Sequence, residues 1–190
     1  MPPKTRITKD MIIHAAVEIV RESGFESINA RTVAGQLRCS TQPVMYHFAT
    51  IENLKRAAFE KVNRDHSGYL MNCPAGQDPV LSIGLNYIRY AVEEPQLFRF
   101  LFQSGYAKEN SLSEMIRSGE IAPLLAAMQK ESGLNAEQTR EVFLTVALFA
   151  HGYASIIANN HLEFDENLIA KHLEHAWNGA VLAAAQEGIS

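Results

Sequence analysis

Residues 29–48 read NARTVAGQLRCSTQPVMYHF, a pair of short amphipathic segments joined by a tight turn. Asn29 and Ser40 are residue types that cap helix N-termini, and each stands directly before one of the segments. Pro43 falls in the first turn of the second segment, where its missing amide proton costs little. We predict helices over Ala30–Leu37 and about Ser40–His47. Two short helices around a tight turn form a helix-turn-helix arrangement.

A longer predicted helix lies on each side of this pair. Upstream, Thr8 is the expected N-cap and Gly24 the expected end of a helix whose apolar residues recur at helical spacing. Those apolar residues are Ile12, Ala15, Ala16, Ile19 and Val20. Downstream, Thr50 caps a fourth helix that runs through Asn63 and toward Leu70. The pattern predicts a three-helix unit followed by a connecting helix.

The second helix of the pair begins with small and polar residues, which suits entry into the major groove of DNA. Gln42 can bond an adenine edge, Thr41 can reach a base or a phosphate, and Arg31 can reach a guanine edge or a phosphate. The predicted DNA-contacting residues are Arg31, Ser40, Thr41, Gln42, Pro43, Tyr46, His47 and Thr50. Short helix pairs also occur in ordinary helical bundles, so spacing alone leaves both interpretations open.

Charge is distributed unevenly along the chain of 190 residues, whose net charge is −4. The first 64 residues contain ten Lys or Arg and six acidic residues, a balance of +4, which leaves −8 for the remainder. A basic head favours a polyanionic partner. Hydrophobic residues make up 47% and charged residues 20%, which is typical of a globular protein. The two cysteines, Cys39 and Cys73, fit a reduced cytoplasmic protein.

Helical periodicity continues through the rest of the chain, and strand-like alternation is nearly absent, so we predict an all-α fold. The predicted helices lie near Pro79–Val92, Pro95–Ser104, Leu112–Arg117, Ile121–Glu131, Ala136–Asn160 and Asp165–Gln186. We expect a DNA-binding domain over 1–50, a connecting helix over about 50–70 and a helical regulatory and dimerisation domain over 75–190. We expect no signal peptide and no apolar stretch long enough to cross a membrane.

The N-terminal region resembles TetR/AcrR-family transcriptional regulators over roughly the first 60 residues. The matching features are Ala15-Ala16, Gly24-Phe25, Asn29, Arg31, Val33-Ala34, Ser40, His47-Phe48 and Glu52-Asn53-Leu54. The resemblance implies three DNA-binding helices, a connecting helix and a helical domain that forms homodimers. It also implies a ligand-responsive regulator, most simply a repressor that a small effector releases from palindromic double-stranded DNA. The alternative is an architectural DNA-binding or interaction protein with no effector.

The sequence departs from the family pattern at four places, one of which is Ala49, where a basic or small residue is usual. Arg38 stands at the turn position usually held by glycine, so we expect either a positive φ there or a different turn. Met45 replaces a tyrosine that often contacts phosphate, and Ile51 replaces a familiar lysine. These replacements imply fewer phosphate contacts, and therefore a weaker dependence of DNA affinity on salt.

Aromatic residues in the C-terminal half are candidates for an effector pocket, since apolar walls with a few polar groups are typical of small-molecule sites. The candidates are Tyr87, Phe98, Phe102, Tyr106, Phe149, His151 and Tyr153. The composition indicates a lipophilic or aromatic effector. The same residues at helical spacing also fit an ordinary packed core.

The last two predicted helices are rich in small residues, which permit close helix packing, and in large apolar residues. Two such helices from each subunit can form a two-fold symmetric four-helix interface. The candidate interface residues are Ile157, Leu168, His175, Trp177 and Val181. Packing within one chain is the alternative.

Enzymatic and metal-binding motifs are not found in the sequence. It contains no glycine-rich phosphate loop, nucleophile elbow or His-Glu-x-x-His motif, so we predict no enzymatic activity and no cofactor. His172 and His175 are spaced to share a helix face, with His151 and His161 on the preceding helix. A zinc site needs further ligands, so we predict no metal.

Overall fold

The computed structural model describes residues 7–74, 76–107, 114, 117, 119–160 and 162–187, and the described chain is all-α. Its helices are α1 Lys9–Ser23, α2 Ala30–Gln36, α3 Thr41–His47, α4 Ile51–Leu70, α5 Pro79–Glu93, α6 Pro95–Gln103, α7 Ala122–Ser132, α8 Ala136–Asn160 and α9 Glu166–Glu187. Short 3₁₀ turns cover Phe25–Ser27 and Gly119–Ile121. The helix predicted at Leu112–Arg117 falls almost entirely outside the described residues.

The predicted caps form at three of the four helix starts in the N-terminal region. Thr8 Oγ1 accepts a hydrogen bond from Met11 N at 3.2 Å, and Thr50 Oγ1 accepts one from Asn53 N at 3.1 Å. The Asn29 carboxamide caps α2. Ser40 occupies the N-cap position of α3, but its side chain makes no capping hydrogen bond, so that part of the prediction is wrong.

The chain divides into two compact units, and the first contains Met1–Ser67 together with Glu94–Ala107. Helix α6 therefore belongs with α1 to α3, although the sequence assigned it to the C-terminal domain. It packs against α1 and supplies Phe100, which is fully buried. The Phe100 ring stacks on Phe25 at 5.5 Å between centroids and meets Phe59 edge-on at 5.6 Å. These aromatic contacts make α6 part of the core of the first unit.

Arg21 on α1 connects that helix to the start of α6 by charge. Its Nε donates to both carboxylate oxygens of Glu94, at 3.0 and 2.9 Å, and its Nη1 donates to Glu18. These hydrogen bonds raise the pKa of Arg21 above its usual value, because they are made to the charged guanidinium.

The second unit contains Gly68–Glu93 and Lys108–Ser190. Within it, α8 packs against α5, α7 and α9. One buried cluster joins Met128, Val142, Phe143 and Ala184. Gly84 on α5 lets α9 approach closely, because a Cβ there would lie 3.2 Å from a Leu173 methyl group.

Helix α8 is apolar enough and long enough to cross a membrane by composition, with a mean hydropathy of 1.5 over its most apolar 18 residues. The expectation that the chain contains no apolar stretch long enough to cross a membrane is therefore wrong. Because α8 packs against three other helices of its unit, its composition is that of the central helix of a bundle.

Candidate functional site

The start of α2 is fixed by a reciprocal capping box. Asn29 Oδ1 accepts hydrogen bonds from Arg31 N at 2.9 Å and Thr32 N at 3.0 Å, while Thr32 Oγ1 accepts one from Asn29 N at 3.0 Å. This arrangement satisfies amides that a helix start otherwise leaves unpaired. It also holds the exposed Arg31 side chain at the first turn of α2, as the sequence predicted.

The turn between α2 and α3 is tight, and Arg38 adopts φ +51°. Of the two alternatives expected for a residue in the usual glycine position, a positive φ or a different turn, the structure has the positive φ. Cys39 N closes the turn by donating to Ala34 O at 2.9 Å. Leu37, where the sequence predicted the last residue of α2, is the C-cap of that helix and is half-buried.

Helix α3 has one buried side and one exposed side. Val44 and the following Phe48 are buried and anchor the helix in the first unit. Thr41 and Gln42 are exposed on the opposite side, as are Ser40, Met45 and Tyr46, while Pro43 is half-buried. The exposed side combines hydrogen-bonding groups with an apolar and an aromatic side chain, so it can contact both base edges and phosphates.

The end of α3 is connected to the start of α1. His47 Nε2 lies 3.1 Å from Ile7 O, and Lys9 Nζ lies 5.3 Å from the centre of the Phe48 ring. His47 is half-buried, and its Nε2 holds the end of α3 against the start of α1, while its contact with a phosphate stays a prediction. Lys9 is an exposed cation beside α3 that sequence reasoning missed, since only the folded chain brings it there.

A half-buried chain of polar side chains connects α5 and α8 in the second unit. Tyr87 Oη lies 2.9 Å from His151 Nδ1, and Ser155 Oγ lies 3.3 Å from His151 Nε2. Burial raises the pKa of Tyr87 and lowers the pKa of His151, so both groups are neutral at pH 7. On a different face of α8, the Phe149 and Tyr153 rings lie 6.1 Å apart, and the Tyr153 ring lies 6.3 Å from that of His172.

Comparison with known proteins identifies the family. Residues 80–177, just over half of the chain, match the family model described as the C-terminal domain of tetracyclin repressor-like proteins. The chain belongs to the TetR family of transcriptional regulators. The all-α fold with an N-terminal helix-turn-helix is the fold of that family, whose members are generally DNA-binding proteins and not enzymes.

Individual relatives of this TetR-family protein are distant in sequence. An uncharacterised HTH-type transcriptional regulator, YobS of Bacillus subtilis strain 168, is 21% identical over 174 residues, 89% of this chain and 88% of YobS. A TetR-family regulator from Streptomyces coelicolor aligns with a TM-score of 0.69 at 14% identity, covering 94% of this chain and 82% of that one. A TetR variant from Acinetobacter baumannii AYE, solved in complex with minocycline, aligns with a TM-score of 0.62 at 13% identity, covering 95% and 97%.

The predicted effector pocket of this TetR-family chain is divided between the two units. Tyr87, Phe149, His151 and Tyr153 lie in the second unit, whereas Phe98, Phe102 and Tyr106 lie in the first. Phe98 is fully buried, with its ring 4.8 Å from that of Phe102, which makes it a core residue. The Phe102 ring meets that of His66 at 5.7 Å, and Tyr106 Oη donates to Glu52 Oε2 at 3.0 Å. Periodicity indicates which side of a helix is apolar but not which neighbour covers it.

A separate cavity of about 350 Å³ opens in the second unit, and its lining is mostly polar. Asn86 Nδ2 donates to Leu70 O and Asn72 O at 3.2 Å each, and its Oδ1 accepts from Arg89 Nη1 at 3.0 Å. Arg89 Nη2 also donates to Glu166 Oε2 at 2.7 Å. The sequence did not predict this cavity, because its groups come from α5, α9 and the segment after α4.

The predicted dimer residues fall into three classes of exposure. Ile157 is only 3% exposed and packs inside its own unit, so its assignment to the interface is wrong. Trp177 and Val181 are half-buried against the cluster around Phe143, which also removes most of their surface from a partner. Leu168 and His175 are exposed on α9. Three further apolar residues on α8 and α9 are exposed: Leu148, Ile156 and Leu182.

The described part of the chain contains no cluster of three or more His, Cys, Asp or Glu residues that could hold a metal ion. His161 lies outside the described residues. His151 and His172 instead take part in the contacts with Tyr87 and Tyr153.

Proposed function

We propose that this protein is a dimeric repressor that binds palindromic operator DNA and is released by a small-molecule effector. The observation that carries the DNA-binding part is the exposed side of α3, where Thr41 and Gln42 lie in a helix-turn-helix beside Arg31. In a dimer, two such helices read half-sites about 34–36 Å apart. An effector would weaken operator binding by stabilising an arrangement of the dimer that does not match this spacing.

The DNA-binding proposal is tested by selecting bound sequences from a random DNA pool with the full-length protein. We expect a palindrome, and we expect Arg31→Ala and Gln42→Ala each to weaken binding by about 1–3 kcal/mol or to relax the preference at one position. Gln129→Ala is the matched control, because Gln129 is exposed on α7 in the other unit. If both variants bind every selected sequence as the wild type does, the assigned base contacts are wrong.

For the effector, we propose a lipophilic or aromatic molecule that binds in the second unit beside Tyr87 and His151. The half-buried hydroxyl of Tyr87 and imidazole of His151 supply the polar groups there, and their own rings, 6.3 Å apart, supply apolar surface. Distantly similar proteins have been solved with ethidium and with minocycline, which guides the choice of probes.

The effector proposal is tested by thermal shift with three probes: ethidium, minocycline and a long-chain fatty acid. We expect at least one to stabilise the protein, because a ligand that binds only the folded state raises its stability. Tyr87→Phe should reduce that shift, whereas Tyr69→Phe, at the polar cavity of the same unit, should not. Failure of all three probes would favour the alternative, a DNA-binding architectural protein with no effector.

The proposed dimer surface is the exposed side of α8 and α9. Leu148 and Ile156 lie at helical spacing on α8, and Leu168 and Leu182 lie at helical spacing on α9; all four are exposed. Gly152 and Gly179 on the same exposed sides have open space where a Cβ would stand, which permits close approach of a partner helix. A second copy of the chain would cover this apolar surface.

A further inference from the structure

Met45 occupies the centre of the exposed side of α3. At about 100° per residue, Thr41 and Gln42 stand about 100° apart on the helix, and Met45 lies about 40° from Thr41, between them. Val44 and Phe48 point to the buried side. If α3 enters the major groove with Thr41 and Gln42 facing the bases, Met45 also faces the base edges, one helical turn after Thr41.

The chemistry of Met45 restricts what it can contact there. A thioether donates no hydrogen bond and accepts one only weakly, so it cannot substitute for a phosphate-binding tyrosine. Its side chain is 41% exposed in the described structure, a substantial apolar surface in the middle of a polar one. The apolar group that base pairs present in the major groove is the 5-methyl group of thymine.

We infer that Met45 is a specificity-determining residue that selects thymine in each operator half-site by packing on its 5-methyl group. This inference rests on the proposed DNA-binding function. The flexible Met side chain can adjust to the position of the methyl group. Thr41 and Gln42 on either side supply the hydrogen bonds that orient α3 over the same stretch of bases.

Tyr46 does not compete with Met45 for this position. It lies about 140° from Thr41 around the helix, about 40° beyond Gln42, and so outside the arc between Thr41 and Gln42 that contains Met45. Tyr46 is 84% exposed, and its ring meets the His47 ring edge-on at 5.3 Å. Its hydroxyl can donate a hydrogen bond to a phosphate. Met45 is thus the apolar side chain directed at the base edges.

The test replaces each thymine of the selected operator, one at a time, by deoxyuracil, which removes only the 5-methyl group. We expect wild-type affinity to fall about fourfold at one thymine per half-site, the fold-change that corresponds to burial of one methyl group. Met45→Ala should bind the unmodified operator more weakly and show no further loss from the same replacement. Met45→Leu keeps an apolar side chain and should keep the sensitivity.

Met71→Ala is the matched control, since Met71 is also exposed but lies beyond α4 in the second unit. It should bind every modified operator as the wild type does, and equal melting temperatures should show that each variant is folded. Equal deoxyuracil effects in wild type and Met45→Ala, or no effect at any thymine, would overturn the inference while operator binding stands. A wild-type protein that selects no DNA would instead overturn the proposed function.

Discussion

At the scale of single residues, His66 makes the stability of the first unit depend on pH. It is buried on α4 against the Phe102 ring, and this burial lowers its pKa from 6.5 to about 4. As the pH falls below about 6.5, the unfolded chain takes up a proton that the folded chain does not. The free energy of unfolding should therefore fall by about 3 kcal/mol between pH 6.5 and 4 because of His66. Above pH 6.5, His66 should not make it depend on pH.

Urea unfolding at pH 7, 6, 5 and 4 measures this dependence. His66→Phe keeps a ring beside Phe102 but cannot titrate, so its stability should fall less over the same range. His14→Gln is the control, because His14 is exposed on α1. A His66→Phe protein that loses as much stability in acid as the wild type would contradict the prediction.

Residues whose role depends on local chain geometry were the most accessible to sequence reasoning. The cap at Asn29 follows from contacts within a few residues and is confirmed, and the positive φ at Arg38 is one of the two alternatives that the family pattern implied. The contact of His47 with Ile7 O was not predicted, because the two residues lie 40 positions apart along the chain. Lys9 was missed for the same reason, since its place beside Phe48 depends on how α1 packs.

At the scale of helices, α6 shows that order along the chain does not decide which core a helix joins. Phe100 on α6 is fully buried between Phe25 and Phe59 of the first unit. We expect Phe100→Ala to cost about 3–5 kcal/mol, because it leaves a cavity in that core. Hydrogen exchange should then accelerate first at the amides of α1 and α3, and DNA affinity should fall as the folded fraction falls.

Phe143→Ala is the comparable change in the second unit, where Phe143 is buried in the cluster with Met128. It should accelerate exchange first in α7 and α8 and not in α1. The assignment of α6 to the first unit would be contradicted if both variants exposed the same helices first. These outcomes show whether α6 belongs to the hydrophobic core of the first unit, with α1, or to that of the second unit, with α5.

The two adjacent isoleucines of α8 show why the sequence did not identify its exposed side. Ile157 is buried, whereas Ile156 is 56% exposed, and alanines and glycine surround both in the sequence. A helix that is apolar nearly all round has no clear polar side, so periodicity cannot indicate which residues point outward. The helix itself was predicted with its observed bounds, Ala136–Asn160, because its length and periodicity do not depend on that choice.

At the scale of the whole molecule, the chain leaves the first unit after Ser67, returns at Glu94 and leaves again after Ala107. The unit that contains the DNA-reading helices is thus completed by a segment that follows α5 of the second unit. A single residue, Glu94, lies between α5 and α6 in the chain, and it also bonds Arg21.

The proposed repressor needs two copies, because one helix-turn-helix reads only one half of a palindrome. Ile156 and Leu182 are more than half exposed on α8 and α9, and a partner chain would bury them. Light scattering at micromolar concentration should therefore give twice the chain mass of 21.1 kDa for the wild type. Ile156→Glu or Leu182→Glu should give the monomer mass, because each buries an unpaired charge in the interface.

Leu162→Glu is the matched control for these two changes. Leu162 is also half exposed, but it lies in the segment between the two helices and outside the proposed surface. This variant should remain a dimer and bind the operator as the wild type does. The monomeric variants should lose affinity for the palindrome, whereas their affinity for a single half-site should stay near that of the wild type. A monomeric mass for the wild type at micromolar concentration would contradict the proposed dimer. It would also contradict the proposal that two α3 helices of one dimer bind the two halves of a palindrome.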